Sequence, residues 1–449
     1  MSSQSTQIAM LDRTAALAQS CLATLRDANW LTHDRVHAYL RILFGLSLAT
    51  VMGWTVLARG GLDRLGKPLG TDFLSFWAAS KLALSGHPAL VYDVSAHAAA
   101  EQAVFPAAHI GYAAYFYPPL YLLICLPLAA FPYLPALAAW LGATGYACWR
   151  VIRSFLGEAG AGLAILVFAF PGVLSTIGHG QNAFLTTAIF GLAVLTLDRR
   201  PIFAGILIGL LAFKPQLGLL IPVALIAAGR WRSLGAAGCT FVVFVAITVA
   251  AFGPGTWEGF FTVSPLARLA LERDLIGPGK MQSAFAAVRL LHGGVALGYA
   301  VQTAVAIFAA AIVVRVARTR AGGHAEGVTL VTASLLASPF LLDYDLMLLA
   351  IPLAWTLREA RRTGFLRWEK SVMFTAFVLP LVSRAVAARF GVPLGPPVIL
   401  AVLVVVARRA SAPGMDRTPV HRYAVELAAP RARGTVQPLL TIPAQPPSS

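Results

Sequence analysis

Long apolar runs recur along this chain from about residue 39 to residue 407, and they limit its fold more than any other feature. There are about ten of them, each of roughly 15 to 20 residues, which is close to the length that an α-helix needs to cross a bilayer. A soluble domain can bury one such helix but does not repeat it throughout its length. Hydrophobic residues make up 58% of the chain and charged residues only 12%. The sequence therefore predicts an all-α, polytopic integral membrane protein.

Lysine and arginine gather in short clusters between the apolar runs. A formal net charge of +16 could indicate a nucleic-acid partner. Clusters of this kind are instead what the positive-inside rule produces in cytoplasmic loops. They predict about 12 transmembrane helices, an N-terminus in the cytoplasm, an inner or plasma membrane location, and membrane lipids rather than nucleic acid as partners. The clusters are Arg150 with Arg153, Arg199 with Arg200, Arg230 with Arg232, Arg315 with Arg318 and Arg320, and the segment 358–370.

The composition divides the chain into three parts. Residues 1–38 are predicted to form a cytoplasmic or interfacial amphipathic segment. Residues 39–407 are predicted to form the transmembrane helical domain, with a break near Pro132 and Pro135. Residues 201–229 lie between two basic clusters and are predicted to go out and back, with KPQ (214–216) as the turn. Residues 408–449 are rich in proline and arginine and are predicted to be a disordered, basic cytoplasmic tail.

Unusual polar residues at the predicted membrane-depth turns all fall on the exterior face. A polar or ionisable group at such a depth is a functional-site hypothesis by default. Each residue also has a structural explanation. A carboxylate before Phe73 can cap a helix, a lysine near a span end can snorkel, and GHGQN (178–182) and LLDYD (341–345) can be ordinary turns. The residues are Asp72, Gln181, Asn182, Lys214, Lys280, Asp343 and Asp345.

Asp343 and Asp345 also form a D-x-D pattern, which can hold a divalent cation. Positions i and i+2 of a helix do not share a face, and a lone D-x-D is a weak signal. We therefore predict that Asp343 and Asp345 belong to the cavity lining, with one of them capping the helix that follows and the other facing the cavity, and with no metal and no cofactor.

These residue types indicate a particular chemistry. A carboxylate near a bilayer can have a raised pKa and act as a general base toward a hydroxyl. A lysine at the same depth can neutralise a phosphate leaving group. Together they predict attack by an acceptor hydroxyl on a sugar that a lipid phosphate carries, with Asp72 as the base.

The segment TDFLSFWAASKLALSGHPALVYD (71–93) resembles the region after the first span in glycosyltransferase family 87, of the GT-C type. YFYPPLYLLICLPLA (115–129), the run from GHGQN through FKPQ to LIPVALI (178–226), and SPFLLDYDLMLLAIPLA (338–354) continue the likeness in order. The family includes polyprenyl-phosphate-mannose-dependent mannosyltransferases. The resemblance implies a GT-C-like helical bundle that transfers a hexose, mannose in particular, from a polyprenyl-phosphate donor to a lipid or glycan acceptor, with inversion.

The resemblance also implies residue roles. Asp72 matches the acidic base of the first exterior loop, Lys214 and Lys280 match candidates for holding the donor phosphate, and Gln181 and Asn182 would line the cavity. The chain departs from the pattern at Asp343, Tyr344 and Asp345, where some members of the family have a histidine pair. Any role of those histidines does not carry over.

A transporter or flippase of a lipid-linked sugar is the alternative from another functional class. Such carriers often have inverted repeats and ionisable groups near the bilayer midplane. Here the ionisable residues map to one surface and no matching halves are visible. The sequence favours an enzyme.

Overall fold

The computed structural model describes residues 16, 19–277, 279–319 and 322–411. The described residues form α-helices and short 3₁₀ segments, with no β-strand among them. The helices are α1 His33–Leu57, α2 Phe73–Leu84, α3 Val94–Gln102, α4 Pro119–Cys125, α5 Tyr133–Leu156, α6 Pro171–His179, α7 Ala183–Thr196, α8 Pro201–Leu210, α9 Ile221–Ala227, α10 Trp231–Phe252, α11 Pro254–Glu272, α12 Ala284–Leu290, α13 Val295–Arg318, α14 Gly323–Ala337, α15 Ala350–Thr363, α16 Glu369–Phe390 and α17 Gly395–Ala410. The 3₁₀ segments are Pro88–Tyr92, Leu126–Ala130, Glu158–Ala169, Leu211–Phe213, Pro215–Leu217 and Asp343–Leu349.

Four of the described helices, α1, α10, α13 and α16, are long and apolar enough to cross a membrane. Several shorter apolar helices accompany them, among them α7 and the broken segments on either side of Lys214. The predicted all-helical membrane fold is confirmed. The number of about 12 crossings stays a prediction, because many of the remaining helices are shorter than a full span.

Prolines set two of the helix breaks. The predicted break near Pro132 is present, since α5 begins directly after it. Pro135 does not break the helix because it lies in the first turn, where its missing N–H leaves no helical hydrogen bond unmade. At Lys214 the helical path is interrupted between two 3₁₀ segments, and Pro215 begins the second of them.

One end of the bundle is fixed by an ion-pair network around Arg230. Its guanidinium lies 2.7 Å from Oδ1 of Asp198 and 2.7 Å from Oε2 of Glu326. The N–H of Gly323 donates to the other carboxylate oxygen of Asp198. Residues 198 and 230 therefore lie side by side, so the segment between them runs out and back, as the charge pattern predicts. Helices α7 and α14 each have one terminus at this network.

A buried ion pair between Arg409 and Glu369 joins α15, α16 and α17 at their termini. Arg409 donates to both carboxylate oxygens of Glu369, with Nε 2.6 Å from Oε1. It also donates to the hydroxyl of Thr363 and the carbonyl of Gly364. The end of α15, the start of α16 and the end of α17 are held together in this way. Removing one partner of such a buried pair lowers the free energy of unfolding by about 3–5 kcal/mol.

The proposed terminal segments are described only in part. Residues 412–449 of the predicted basic tail lie outside the described residues, as do residues 1–15, 17 and 18 of the predicted amphipathic segment. The described part of that segment packs on α16. The N–H of Trp368 donates to the carbonyl of Arg26, and the ring of Trp30 meets Phe374 edge to face.

Candidate active site

Two glycines bring the loop before α2 against the loop after α6. Gly180 ends α6 with a left-handed φ of +65°, which glycine adopts without strain. A Cβ at Gly180 would lie 2.6 Å from Cβ of Phe73 and 3.1 Å from Cα of Gly70. The N–H of Asp72 donates to the carbonyl of His179 at 2.9 Å. Only a glycine fits between these two loops, and the contact places Asp72 beside the GHGQN turn.

The carboxylate of Asp72 is the centre of this site. Asp72 precedes α2, but its side chain makes no capping hydrogen bond. Its Oδ2 accepts from Nε2 of Gln181 at 3.0 Å and lies 3.6 Å from Nζ of Lys280. Its Oδ1 lies 3.5 Å from Nδ1 of His179 and accepts from the hydroxyl of Thr71 at 3.2 Å. The Asp72, His179 and Lys280 side chains are each about one-fifth exposed, so a ligand can reach them.

Its neighbours decide the charge of Asp72. Burial by itself would raise the pKa of Asp72, but the His179 hydrogen bond, the Lys280 charge and the Gln181 hydrogen bond outweigh it. The pKa of Asp72 is held well below its usual range. The raised pKa expected from the sequence is therefore wrong, because that expectation counted the bilayer and not the cation and amide that the fold supplies. Asp72 is ionised at neutral pH.

Gln181 is held in one orientation. Its Oε1 accepts from the N–H of Asn182 at 3.0 Å and from the hydroxyl of Tyr117 at 3.2 Å. With its oxygen occupied, the amide must turn its NH₂ group toward Asp72. Asn182 is fully buried, and neither its side-chain oxygen nor its nitrogen makes a hydrogen bond. Buried polar atoms without a partner are rare, so Asn182 is a candidate for contact with a ligand.

Lys280 reaches the site from the long loop between α11 and α12. Its carbonyl accepts from the N–H of Asp343 at 2.9 Å, and the N–H of Gln282 donates to the carbonyl of Leu341 at 2.7 Å. This short antiparallel pairing ties the loop to the segment that begins at Asp343. Lys280 is thus fixed by backbone contacts at residues that are distant in sequence.

Lys214 lies in a separate buried ion pair. Its Nζ is 2.5 Å from Oδ1 of Asp345, and both side chains are 2% exposed. The ammonium also lies 5.2 Å from the ring centroid of Tyr344. The other oxygen of Asp345 accepts from the N–H of Leu342. Lys214 does not snorkel to a surface, because its side chain is buried against Asp345.

The two carboxylates of DYD face different cations. Oδ2 of Asp343 lies 3.5 Å from Arg384, whereas Asp345 pairs with Lys214. Burial raises the pKa of Asp343, although the charges of His179, Lys280 and Arg384 oppose the rise. Among the described residues, His, Cys, Asp and Glu form no group of three or more that could hold a metal ion.

The structure thus brings Asp72, Gln181 and Lys280 together, with Asn182 directly behind Gln181. Asp343 borders the group through Lys280, while Lys214 and Asp345 form their own pair. His179 was missed, although it lies inside the GHGQN motif. A histidine between two glycines at a turn was the available signal, because the glycines allow another chain segment to approach it. Tyr117 and Arg384 had no signal in the sequence.

The comparisons with known proteins identify the family. The family model of glycosyltransferase family 87 matches residues 115–339, half of the 449-residue chain. The match includes His179, Gln181, Lys214 and Lys280, and Asp72 lies before it. No curated protein matches, and no solved structure matches. The chain belongs to glycosyltransferase family 87, which agrees with a GT-C type glycosyltransferase.

Proposed function

We propose that this glycosyltransferase moves a hexose, mannose in particular, from a polyprenyl-phosphate donor to an acceptor hydroxyl of a lipid or glycan. The observation that carries the proposal is the Asp72–Lys280 pair. An ionised carboxylate and a lysine ammonium lie 3.6 Å apart, and both are partly open to a ligand. A base for a hydroxyl and a cation for a phosphate are the two groups that this transfer needs.

In the proposed reaction Asp72 accepts the proton of the acceptor hydroxyl while that oxygen attacks the anomeric carbon. The bond between the anomeric carbon and the phosphate oxygen breaks, and its electron pair stays on the lipid phosphate. Lys280 neutralises the charge that develops there. Attack opposite the leaving group inverts the anomeric centre.

The binding of the donor would also change the basicity of Asp72. In the structure Lys280 is one of the groups that hold the pKa of Asp72 low. A phosphate that draws the ammonium toward itself weakens its interaction with the carboxylate. The pKa of Asp72 then rises, so the base becomes stronger once the donor is bound.

The remaining residues support this pair. His179 and Gln181 orient the Asp72 carboxylate, and Asn182, Asp343 and Asp345 line the cavity. Lys214 is a second phosphate ligand in this proposal, since its ammonium has further N–H donors besides the one that Asp345 accepts.

The proposal places the site on the exterior or periplasmic face of an inner or plasma membrane. The path has about 12 crossings and a cytoplasmic N-terminus. Support comes from the bundle itself, since the Asp72 cluster and the Arg230 network lie at opposite ends of α7. Arg230, which belongs to one of the basic clusters, and Asp198, which precedes another in sequence, lie at the end of α7 opposite Asp72.

The test is transfer of radiolabelled mannose from polyprenyl-phosphate-mannose in membranes that contain the wild type or Asp72→Asn. The amide cannot accept the proton, so transfer should fall by about 10²–10⁴-fold. Asp63→Asn is the matched control, because Asp63 lies in the same loop and its carboxylate accepts only the backbone N–H groups of Leu65 and Lys67 among its hydrogen bonds.

Full activity of Asp72→Asn at equal expression would contradict the assignment of Asp72 as the base and make Asp343 the next candidate. A wild type that forms no product with several polyprenyl-phosphate sugars, yet moves the lipid-linked sugar across vesicles, would support the transporter alternative.

A further inference from the structure

Helix α1 stands apart from the bundle along half of its length. None of its residues is buried. It contacts the 3₁₀ segment Glu158–Ala169 and α6. In α6 the ring of Trp54 packs against Gly178, and a Cβ added at Gly178 would lie 2.7 Å from that ring. That contact lies toward the Asp72 end. Toward residue 33, a gap separates α1 from α15 and α16.

The gap is a groove of about 780 Å³ with almost entirely apolar walls. One wall is the first half of α1, and the others are α15, the start of α16 and the 3₁₀ segment between α5 and α6. The side chains that define its length are Leu40, Leu43, Phe170, Leu353, Leu357 and Phe377. It occupies the half of the bundle opposite the Asp72 cluster.

The end of the groove is closed by protein. The residues before α1 cross the start of α16, with the carbonyl of Arg26 bonded to Trp368 and the ring of Trp30 against Phe374. Trp30 itself lines the groove. The gap is therefore a built recess with a floor, and it is not a separation of two unconnected helices.

The chemistry of the recess indicates its occupant. An apolar void of this size leaves its walls without contacts, and in a bilayer the hydrocarbon that can fill it is a lipid chain. Two basic side chains and two histidines lie where the groove ends: Arg361, Lys370, His33 and His37. The two cations among them, Arg361 and Lys370, complement a negatively charged head group at the depth where a phospholipid presents one.

We propose that this groove binds one anionic phospholipid of the leaflet opposite the Asp72 site, with its acyl chains against Leu353 and Phe377 and its head group at Arg361 and Lys370. The donor lipid does not fit these requirements. On the proposed function its phosphate binds Lys280, which lies at the other end of the bundle. The groove and its basic end exist whatever the enzyme transfers, and only the exclusion of the donor lipid rests on the proposed function.

The groove is connected to the site by two elements. Phe170 lines it and directly precedes α6, which ends at His179. Leu353 lies in α15, which follows the segment that contains Asp343 and Asp345. A bound phospholipid supports both elements from behind.

Trp30 provides a direct measurement in the full-length protein. The protein is reconstituted in vesicles with brominated phosphatidylglycerol or with brominated phosphatidylcholine of the same chains. The signal of Trp30 is the fluorescence of the wild type minus that of Trp30→Phe. We expect the anionic lipid to quench it at a concentration lower by about fivefold or more, since each basic group near the surface favours anionic lipid by about that factor.

The double variant Arg361→Gln/Lys370→Gln should lose this preference. Arg199→Gln/Arg232→Gln is the matched control, because it removes two exposed arginines at the same end of the bundle without touching the groove, and it should keep the preference. Phospholipid that co-purifies in detergent gives a second readout, with less anionic lipid per protein in the first variant only.

Equal quenching by the two lipids would overturn the proposal, since the groove would then hold chains without selecting a head group. Displacement of the quencher by a polyprenyl phosphate, and not by phosphatidylglycerol, would also overturn it by identifying the donor tail as the occupant. Absence of quenching by either lipid would show that lipid does not enter.

Discussion

At Asp72 one carboxylate meets a cation, an imidazole and an amide. All three favour its charged form, and together they outweigh its burial. A base that is fully ionised is ready to accept a proton, but a low pKa makes it a weak acceptor. The donor phosphate can raise the pKa of Asp72 if it competes for Lys280.

This coupling predicts a change in the pH profile of Lys280→Met. Because the pKa of Asp72 is depressed, Asp72 stays ionised until the pH falls through that pKa. The wild type should therefore keep its base active into acid solution. Loss of the cation raises the pKa of Asp72, and the acid limb of kcat/KM should move to higher pH. Transfer at the optimum should also fall by about 10²-fold, because the leaving phosphate loses its cation.

The measurement is kcat/KM across pH for the wild type, Lys280→Met and Lys81→Met. Lys81 lies in α2 with its ammonium over the ring of Trp77, outside the Asp72 cluster. An acid limb at the same pH in all three proteins would contradict the coupling between Lys280 and Asp72.

The Lys214–Asp345 pair allows structural and chemical roles to be separated. Lys214→Met leaves a buried carboxylate without its cation and should lower the free energy of unfolding by about 3–5 kcal/mol. Lys214→Met/Asp345→Leu removes the orphaned charge as well and should recover most of that loss. If Lys214 holds the donor phosphate, the double variant is stable and still loses transfer by about 10²-fold.

Thermal unfolding in detergent and mannose transfer are measured on the same preparations. Arg268→Met is the control, because it breaks an exposed pair with Glu272 and should leave the unfolding temperature nearly unchanged. A double variant that is both stable and fully active would show that Lys214 has only a structural role.

At the scale of elements, the site depends on how closely α2 approaches the turn after α6. Gly180→Ala puts a Cβ 2.6 Å from Phe73 at a backbone angle that alanine rarely adopts. The two loops must separate, so we expect a loss of about 1–3 kcal/mol in stability and a loss of transfer of about tenfold or more.

Gly142→Ala is the matched control for this change. Gly142 lies inside α5, and a Cβ added there would have no neighbour within 4 Å, so alanine should be neutral or stabilising by about 0.5–1 kcal/mol. Activity and thermal unfolding of both variants decide the question. A fully active Gly180→Ala enzyme would mean that the contact between the loops does not position Asp72.

The helices could be predicted from the sequence because the patterns that indicate them are local. Apolar runs give the long helices, Pro132 gives the break before α5, and Lys214 with Pro215 gives the interruption after α8. The contacts between segments that are distant in sequence could not be predicted. Lys214 and Asp345 are 131 residues apart, and no local pattern tells a buried ion pair from two separate ligands.

For the whole molecule, the charge pattern predicts which side of the membrane each end faces. The ends around Arg230 and Asp198 come together as that pattern requires, whereas the number of crossings was set by counting apolar runs. Counting fails where helices are short, because composition does not reveal whether a helix of 7 to 14 residues crosses, turns back or lies along the interface. Of the residues that the sequence predicts for the site, Asp72, Gln181 and Lys280 lie together, whereas His179 was not included; the roles of all four stay predictions.

Cysteine labelling tests the orientation. In a background with Cys21→Ser and Cys239→Ser, which removes the two exposed native cysteines, Leu65→Cys in the loop before Asp72 should react with an impermeant thiol reagent in intact cells. Leu65 is 80% exposed. Arg199→Cys at the opposite end should react only after the cells are opened. The reverse pattern would place Asp72 on the cytoplasmic face.

Helix α7 joins the Asp72 site to the Arg230 network, and its length sets the depth of the chemistry. From residue 182 to residue 198 an α-helix rises by about 24 Å, which is less than the roughly 30 Å of a bilayer's hydrocarbon core. Either the bilayer thins around this part of the protein or the site lies below the level of the head groups. On the proposed function, a site below the head groups would require the lipid phosphate and the acceptor both to descend to Lys280, whereas a thinned bilayer would bring both to it.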